Sequence, residues 1–330
     1  MAVVSVLGAG AMGTALAMHL ARKGEQVTLW ASEHDARVLP ELTDRRQHPA
    51  LPERLPDALD VRGPDELDRA TGGSTVAVLA AHSAGARSLA RLVRGALADA
   101  RTVVSIAKGL EPGSRKRISE VYAEELDGRP VVAVGGPALA AEVAEGLPCA
   151  AVLGSADPDA LRQTSSILAS DTYLVHSTDD CLGLEVCATA KNVGAIAAGI
   201  VEGIGSAREQ GFKNARAALF TQAVHEMCDL VQALGGRRET ALGLAGMGDL
   251  LVTSLGGRNR QYGDMVGSGA DPEHAVRDME SRGLTVEGVE SAADVHELAT
   301  GRGLELPVHD AVYRVVHEGA PPSSVLEALR

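Results

Sequence analysis

Ala2-Val-Val-Ser-Val-Leu7, Gly8-Ala-Gly10-Ala-Met-Gly13 and Thr14-Ala-Leu-Ala-Met-His-Leu-Ala-Arg22 follow one another without a break. The first run is short, apolar and β-branched, as a strand buried on both faces of a parallel sheet must be. The third has helical periodicity. Between them, Gly8 makes a tight turn, Gly10 lets the backbone approach a pyrophosphate, and Gly13 packs helix on strand. Gln26-Val-Thr-Leu-Trp30 is the next strand, so the segment is a βαβ unit whose helix N-terminus can hold an anion. A dinucleotide-binding Rossmann fold follows, with Gly8, Gly10, Ala11, Met12 and Gly13 as the candidate cofactor loop.

An acidic residue ending the second strand accepts hydrogen bonds from the adenosine ribose and repels a 2′-phosphate. Ala31-Ser32 come first, then Glu33, and no arginine appears before Arg37. Ser32 and Glu33 are therefore candidate ribose contacts. The pattern favours NAD and leaves NADP open.

Further along, Thr75–Ala80, Arg101–Ile106 and Val131–Val134 read as buried strands with helical material between them. Loops at strand ends carry the chemistry of an open parallel sheet. Here they are Lys108-Gly-Leu-Glu111 and Gly135-Gly136-Pro137-Ala138. Strand-like runs end near Asp180 and long helical segments take over. The expected architecture is α/β, with a doubly wound sheet domain over residues 1–182 and an all-helical domain over residues 183–330. A chain of 330 residues is long enough for two cores.

A net charge of −13 argues against nucleic acid or an anionic membrane as the main partner, so an anionic small molecule needs a local cluster of cations. The four cysteines show no metal-ligand spacing and read as reduced thiols of a cytoplasmic protein. No metal is expected. The chain opens into a strand with no basic n-region and no long apolar span, so neither signal peptide nor membrane anchor is expected.

Lys191 stands within Glu185-Val-Cys-Ala-Thr-Ala-Lys191-Asn192-Val-Gly-Ala-Ile-Ala-Ala-Gly-Ile200. An ammonium removed from water is costly. A buried lysine therefore finds a counter-charge, or its pKa falls toward neutrality and it serves as an acid or base. Cys187, Gly194 and Ala198 flank it at helical spacing, a small-residue face with room for a substrate. The plainer alternative is a lysine at a helix edge, extending its stem to water.

Taken in order, these pieces resemble the soluble, bacterial-type NAD(P)-dependent glycerol-3-phosphate dehydrogenases over nearly the whole chain. To those already quoted are added Glu142–Pro148, Gly183-Leu-Glu185, Asn214–Leu219, His225-Glu-Met227, Gly243-Leu-Ala-Gly-Met-Gly-Asp-Leu250, Arg258-Asn259, Glu287-Gly-Val289 and Pro307. The resemblance implies a 6-phosphogluconate-dehydrogenase-like pairing of Rossmann and helical domains. It also implies interconversion of glycerol 3-phosphate and dihydroxyacetone phosphate with NAD or NADP. Lys191 would be the general acid/base, with its pKa lowered by burial and by a cation such as Lys108 or Arg258. Asp249 would orient Lys191 or hold a substrate hydroxyl. Arg258 and Asn259 would bind the phosphate, and Lys108 and Asn192 would line the same pocket between the domains. Gly136, Ala138, Ala140, Lys108, Arg258 and Glu287 would touch the cofactor. A homodimer through the helical domain is also implied.

This sequence departs from the family pattern at several points near the substrate. Met12 replaces an aromatic residue, Ser32 an arginine, Ala138 and Gly257 serines, and Gln222 an arginine within Thr221-Gln222-Ala223. Ala81-His82-Ser83 stands for Val-Pro-Ser and Cys187-Ala188-Thr189 for a glycine-bearing run. Ser206–Lys213 is several residues longer than the family's connection. The departures leave room for a dehydrogenase of another phosphorylated or phosphonylated hydroxy compound, or of a β-hydroxy acid. A non-catalytic dinucleotide sensor is the reading from outside the enzymes.

Overall fold

Every apolar run read as a strand forms one in the computed structural model, which describes residues 1–209 and 211–330. Gln210, inside the long connection Ser206–Lys213, lies outside the described residues. The chain divides into two compact units, Met1–Cys181 and Leu182–Arg330.

The first unit runs β1 (Val3–Leu7), α1 (Ala11–Arg22), β2 (Gln26–Trp30), α2 (Leu39–Asp44), β3 (Asp60–Arg62), α3 (Leu67–Thr71), β4 (Val76–Leu79), α4 (Ser83–Val93) and β5 (Thr102–Ser105). It continues with α5 (Ile118–Glu125), β6 (Val131–Gly135), α6 (Ala140–Glu145), β7 (Cys149–Gly154), α7 (Pro158–Leu168) and β8 (Tyr173–Thr178). Helix α1 starts at Ala11, three residues before the periodic run suggested, because Gly13 belongs to the helix and not to the loop. The strand order is β3-β2-β1-β4-β5-β6-β7-β8. All neighbours are parallel except β6 and β7. Order reverses at β1 and β4, so the loops after those strands flank the crevice where doubly wound sheets bind ligands.

Strand alternation builds a core on each face of this sheet. Val4, Val76, Val78 and Val104 join Leu16 and Leu20 of α1. Ala77, Leu79 and Val103 turn the other way, to Ala86 and Ala90 of α4 and Tyr122 of α5. Strands β3, β7 and β8 were not legible. The first is three residues long, the second begins Cys-Ala-Ala, and the third is an edge strand with exposed polar positions.

The second unit holds α8 (from Cys181, Cys181–Ala207), α9 (Lys213–Ala233), α10 (Arg238–Leu242), a π-helical turn (Leu244–Gly248), α11 (Asp249–Gly256) and α12 (Arg258–Gly267). Helices α13 (Pro272–Ser281), α14 (Glu287–Thr300), α15 (Pro307–His317) and α16 (Ser324–Glu327) follow. Helix α8 is long and apolar enough by length and composition to cross a membrane, which corrects the expectation of no long apolar span; its apolar window is entirely buried within the protein. A helix apolar all round is a core helix when its neighbours cover it.

Glycine lets those neighbours approach. A Cβ at Gly199 or Gly203 of α8 would strike the Arg260 or Asp264 carbonyl of α12. One at Gly263 or Gly267 of α12 would strike Ile196 or Ile200 of α8. Two four-residue glycine steps therefore face each other. The small face beside Lys191 serves the same purpose, contrary to the expectation of room for a substrate. A Cβ at Gly194 would lie 2.9 Å from Leu250 Cδ1 and 3.5 Å from Ala223 Cβ, and Cys187 is buried in the same core.

Candidate active site

In the first unit, Gly8 adopts φ +120°, and a Cβ there would stand 2.6 Å from the Ala80 carbonyl oxygen after β4. At Gly13 a Cβ would collide with the Gly8 carbonyl. These two positions are closed to larger residues by packing. Gly10 is different: nothing lies within 4 Å of where its Cβ would be. It caps α1 without a side chain, and no acidic residue occupies the first turn of that helix. Open space before uncapped N–H groups fits a dinucleotide pyrophosphate. Ala11 and Met12 form the first turn of α1 beside it.

At the end of β2, Ser32 is buried and Glu33 is exposed. The carboxylate on Ser32 belongs to Asp35, whose Oδ2 accepts from Ser32 N at 2.9 Å and Ser32 Oγ at 2.8 Å. Asp35 was missed in the sequence, although Ser32-x-x-Asp35 is a capping-box spacing. His48 was also missed. Burial holds its ring below the ordinary histidine range, against a hydrogen bond to the Ala9 carbonyl of the glycine loop.

Lys108 Nζ donates to the Gly136 carbonyl oxygen at 3.5 Å, joining the loops after β5 and β6. Ala138 and Ala140 follow Gly136 at the start of α6. Glu111, in the Lys108 loop, is held by Arg87 Nε at 2.6 Å. That guanidinium, working against burial, takes the Glu111 carboxyl down to about 2.

In the second unit, Lys191 is 4% exposed and Asp249 2%. Lys191 Nζ donates to Asp249 Oδ1 at 2.6 Å and to Thr253 Oγ1 at 3.1 Å. The buried amine thus has a carboxylate counter-charge. Asp249 opens α11 after the π-helical turn, an arrangement that recurs at functional sites. Thr253 Oγ1 in turn donates to the Asp249 carbonyl at 2.6 Å. Thr253 was not singled out in the sequence. Its signal was the four-residue step from Asp249, which places both on one helix face.

Asn192 and Asn259 are both buried and joined, with Asn259 Nδ2 donating to Asn192 Oδ1 at 2.9 Å. The backbone N–H of Gly288 donates to Asn259 Oδ1 at 2.9 Å. A backbone N–H can only donate, so it fixes the Asn259 amide, which fixes Asn192 in turn. Asn192 is left presenting its NH₂, and Nδ2 is a buried donor without a hydrogen-bond partner among the described residues.

Arg258 opens α12, whose N-cap, Gly257, supplies no side-chain hydrogen bond. Its guanidinium donates to Thr285 Oγ1 at 2.9 Å and Glu287 Oε1 at 3.2 Å. Among the described residues, no group of three or more His, Cys, Asp or Glu side chains is arranged to hold a metal. Among the described residues no cysteine forms a disulfide, and Cys187 and Cys228 are buried.

A Rossmann sheet with an open glycine loop, and a helical unit with a buried Lys–Asp pair, are the parts of a dinucleotide-dependent dehydrogenase. The family model for the N-terminus of NAD-dependent glycerol-3-phosphate dehydrogenase matches residues 3–161, and that for its C-terminus matches residues 180–327. The chain belongs to the NAD-dependent glycerol-3-phosphate dehydrogenase family. It is 38% identical to an NAD(P)+ glycerol-3-phosphate dehydrogenase of Geobacillus kaustophilus, over 99% of this chain and 93% of that one. Its identity to the Clostridium perfringens enzyme of the same name is 33%, over 100% and 97%. The crystal structure of glycerol-3-phosphate dehydrogenase from Coxiella burnetii superposes with a TM-score of 0.88 at 35% identity, covering 99% of this chain and 98% of that one.

Proposed function

We propose that the protein interconverts sn-glycerol 3-phosphate and dihydroxyacetone phosphate with NAD(P), Lys191 being the general acid/base. The observation that carries this is the buried Lys191–Asp249 contact at 2.6 Å, with Thr253 on the same amine. When bound, the dinucleotide donates or accepts the hydride. Lys191 Nζ gives a proton to the ketone oxygen in reduction and takes the alcohol proton in oxidation. Asp249 holds the amine in line and balances its charge while it is protonated.

Other residues orient the substrate. Asn192 offers its unpartnered NH₂. Arg258 offers a planar fork, and the uncapped N-terminus of α12 offers the backbone N–H groups of Arg258 and Asn259, a combination suited to a phosphate. Lys108 adds a further cation. Gly8, Gly10, Ala11, Met12 and Gly13 hold the pyrophosphate; Ser32 and Glu33 face the adenosine ribose; Gly136, Ala138, Ala140 and Glu287 complete the cofactor contacts. The residues 1–182 are the cofactor domain and 183–330 the substrate domain.

This reading puts the enzyme in the cytoplasm, supplying the glycerol phosphate backbone of phospholipids; cysteines that form no disulfide agree with a reducing compartment. A homodimer through the helical unit is supported by an exposed apolar stripe, Met247, Leu251 and Leu255, at four-residue steps. The deciding measurement is the rate of dihydroxyacetone phosphate reduction with NADH and then NADPH. Absence of turnover with both overturns the assignment.

A further inference from the structure

Glu226 of α9 and His309 of α15 are each 1% exposed, and the proposed chemistry does not use them. Glu226 Oε1 accepts from Val308 N at 2.9 Å and from Gln222 Nε2 at 3.0 Å. Its Oε2 accepts from His309 N at 3.0 Å and lies 2.7 Å from His309 Nδ1. Burial pushes the Glu226 carboxyl up, but the His309 hydrogen bond and charge and the two backbone amides outweigh it, so it is held below the ordinary carboxylate range.

Part of this arrangement is a helix cap supplied from another helix. Helix α15 begins at Pro307, and its N-cap, Leu306, has no side-chain acceptor. The carboxylate of Glu226 takes two of the N–H groups that every helix start leaves open, at the positive end of the dipole. Capping needs only those backbone amides. The His309 ring does something more. Its Nε2 reaches the Ala190 carbonyl oxygen of α8 at 3.3 Å. A carbonyl oxygen only accepts, so Nε2 carries a proton and donates it. That carbonyl and the Lys191 N–H are the two ends of one peptide plane.

We propose that Glu226 and His309 are positioning residues for Lys191: the pair pins the Ala190–Lys191 peptide and so sets the line on which the amine meets Asp249 Oδ1 and the substrate oxygen. The proposal rests on Lys191 being the general acid/base. Glu226 orients the ring through Nδ1, and the ring orients the peptide through Nε2. Along the length of a lysine side chain, a small tilt of the peptide becomes a displacement of Nζ of the order that matters, since about 1 Å of misplacement costs roughly a hundredfold in rate.

The test compares the full-length unaltered protein with His309→Phe and the milder His309→Gln, per folded molecule, for dihydroxyacetone phosphate reduction. His309→Phe keeps the ring volume and leaves the backbone cap on Glu226, but removes the donor to Ala190. Its kcat is expected to fall about five- to tenfold, a fraction of that misplacement cost, while KM for both substrates stays within about twofold. His309→Gln restores a donor and recovers part of the loss. A merely structural role lowers the melting temperature and the folded fraction and leaves kcat per folded molecule unchanged. That result in His309→Phe overturns the proposal alone. No turnover in the unaltered protein overturns the functional reading and this proposal with it.

Discussion

Asn259 donates its side-chain amide to the Asn192 carbonyl oxygen at 2.9 Å, and the direction of that bond is imposed from outside the pair by Gly288 N–H. A neutral side chain next to Lys191 in the sequence thereby acquires a fixed polarity. In Asn259→Asp the side chain can no longer donate, so Asn192 is free to turn its carbonyl toward an anionic substrate. One lost hydrogen bond to a charged group is worth about 1.5–3 kcal/mol, or roughly ten- to a hundredfold. KM for dihydroxyacetone phosphate is expected to rise by that order, measured by steady-state kinetics. An unchanged KM removes the relay from substrate binding.

Lys191→Met tests the proton transfer itself. A positioned general acid contributes about 10²- to 10⁴-fold, so kcat should fall by at least the lower figure. The NADH dissociation constant, read by fluorescence, should be close to that of the unaltered protein. Near-normal turnover in this variant refutes the role of Lys191.

Cofactor choice is expected to depend on Asp35 as well as Glu33. The Asp35 carboxylate sits on Ser32 at the end of β2, where an acidic side chain would repel a 2′-phosphate. Asp35→Asn keeps the shape and removes the charge. The ratio of kcat/KM for NADPH to that for NADH should increase severalfold. A constant ratio excludes this carboxylate from the discrimination.

Helix packing predicts a stability change with an unusual sign. Glycine to alanine inside a helix normally stabilises, by up to about 1 kcal/mol. At Gly263 the new methyl would meet the Ile196 carbonyl and lie 3.0 Å from Ile200 N, both backbone atoms that cannot swing aside. Overpacking costs about 1–3 kcal/mol, so the clash wins. Gly263→Ala should lower the urea midpoint; a higher midpoint would mean that α8 and α12 move apart without cost.

The loop bearing Lys108 should be acid-sensitive. Arg87 holds the Glu111 carboxyl at about 2, against its ordinary 4.5. Because the folded value is the lower one, the contribution to stability is complete above 4.5 and is lost as pH falls toward 2. Arg87→Met should therefore melt below the unaltered protein near neutral pH, and the gap should narrow near pH 3. A gap independent of pH would show that Arg87 acts by packing.

Local physics made much of this protein legible. Val3–Leu7, the glycine run and α1 announce themselves because strand, turn and helix each follow from a few neighbouring residues. The energetic anomaly of Lys191 was legible for the same reason: burial of an ammonium demands compensation wherever the partner lies. Thr253 lay within reach, four residues after Asp249 on one helix. The short strand β3 and edge strand β8 were not, since their weak patterns are stabilised by pairing with distant strands.

The sequence by itself determined the dinucleotide fold and the helical second half, and it singled out Lys191, Asp249, Asn192 and Arg258 as candidate site residues. Tertiary structure alone decided what surrounds them. It gave Lys191 a carboxylate partner, filled its small-residue face with Leu250, and set the Asn192 amide through Gly288. It also brought His309 to the Ala190 carbonyl from 119 residues away. The reason is physical: residue type and spacing fix what a segment can do alone, whereas the direction of a hydrogen bond and the filling of a face depend on atoms that only folding brings within contact.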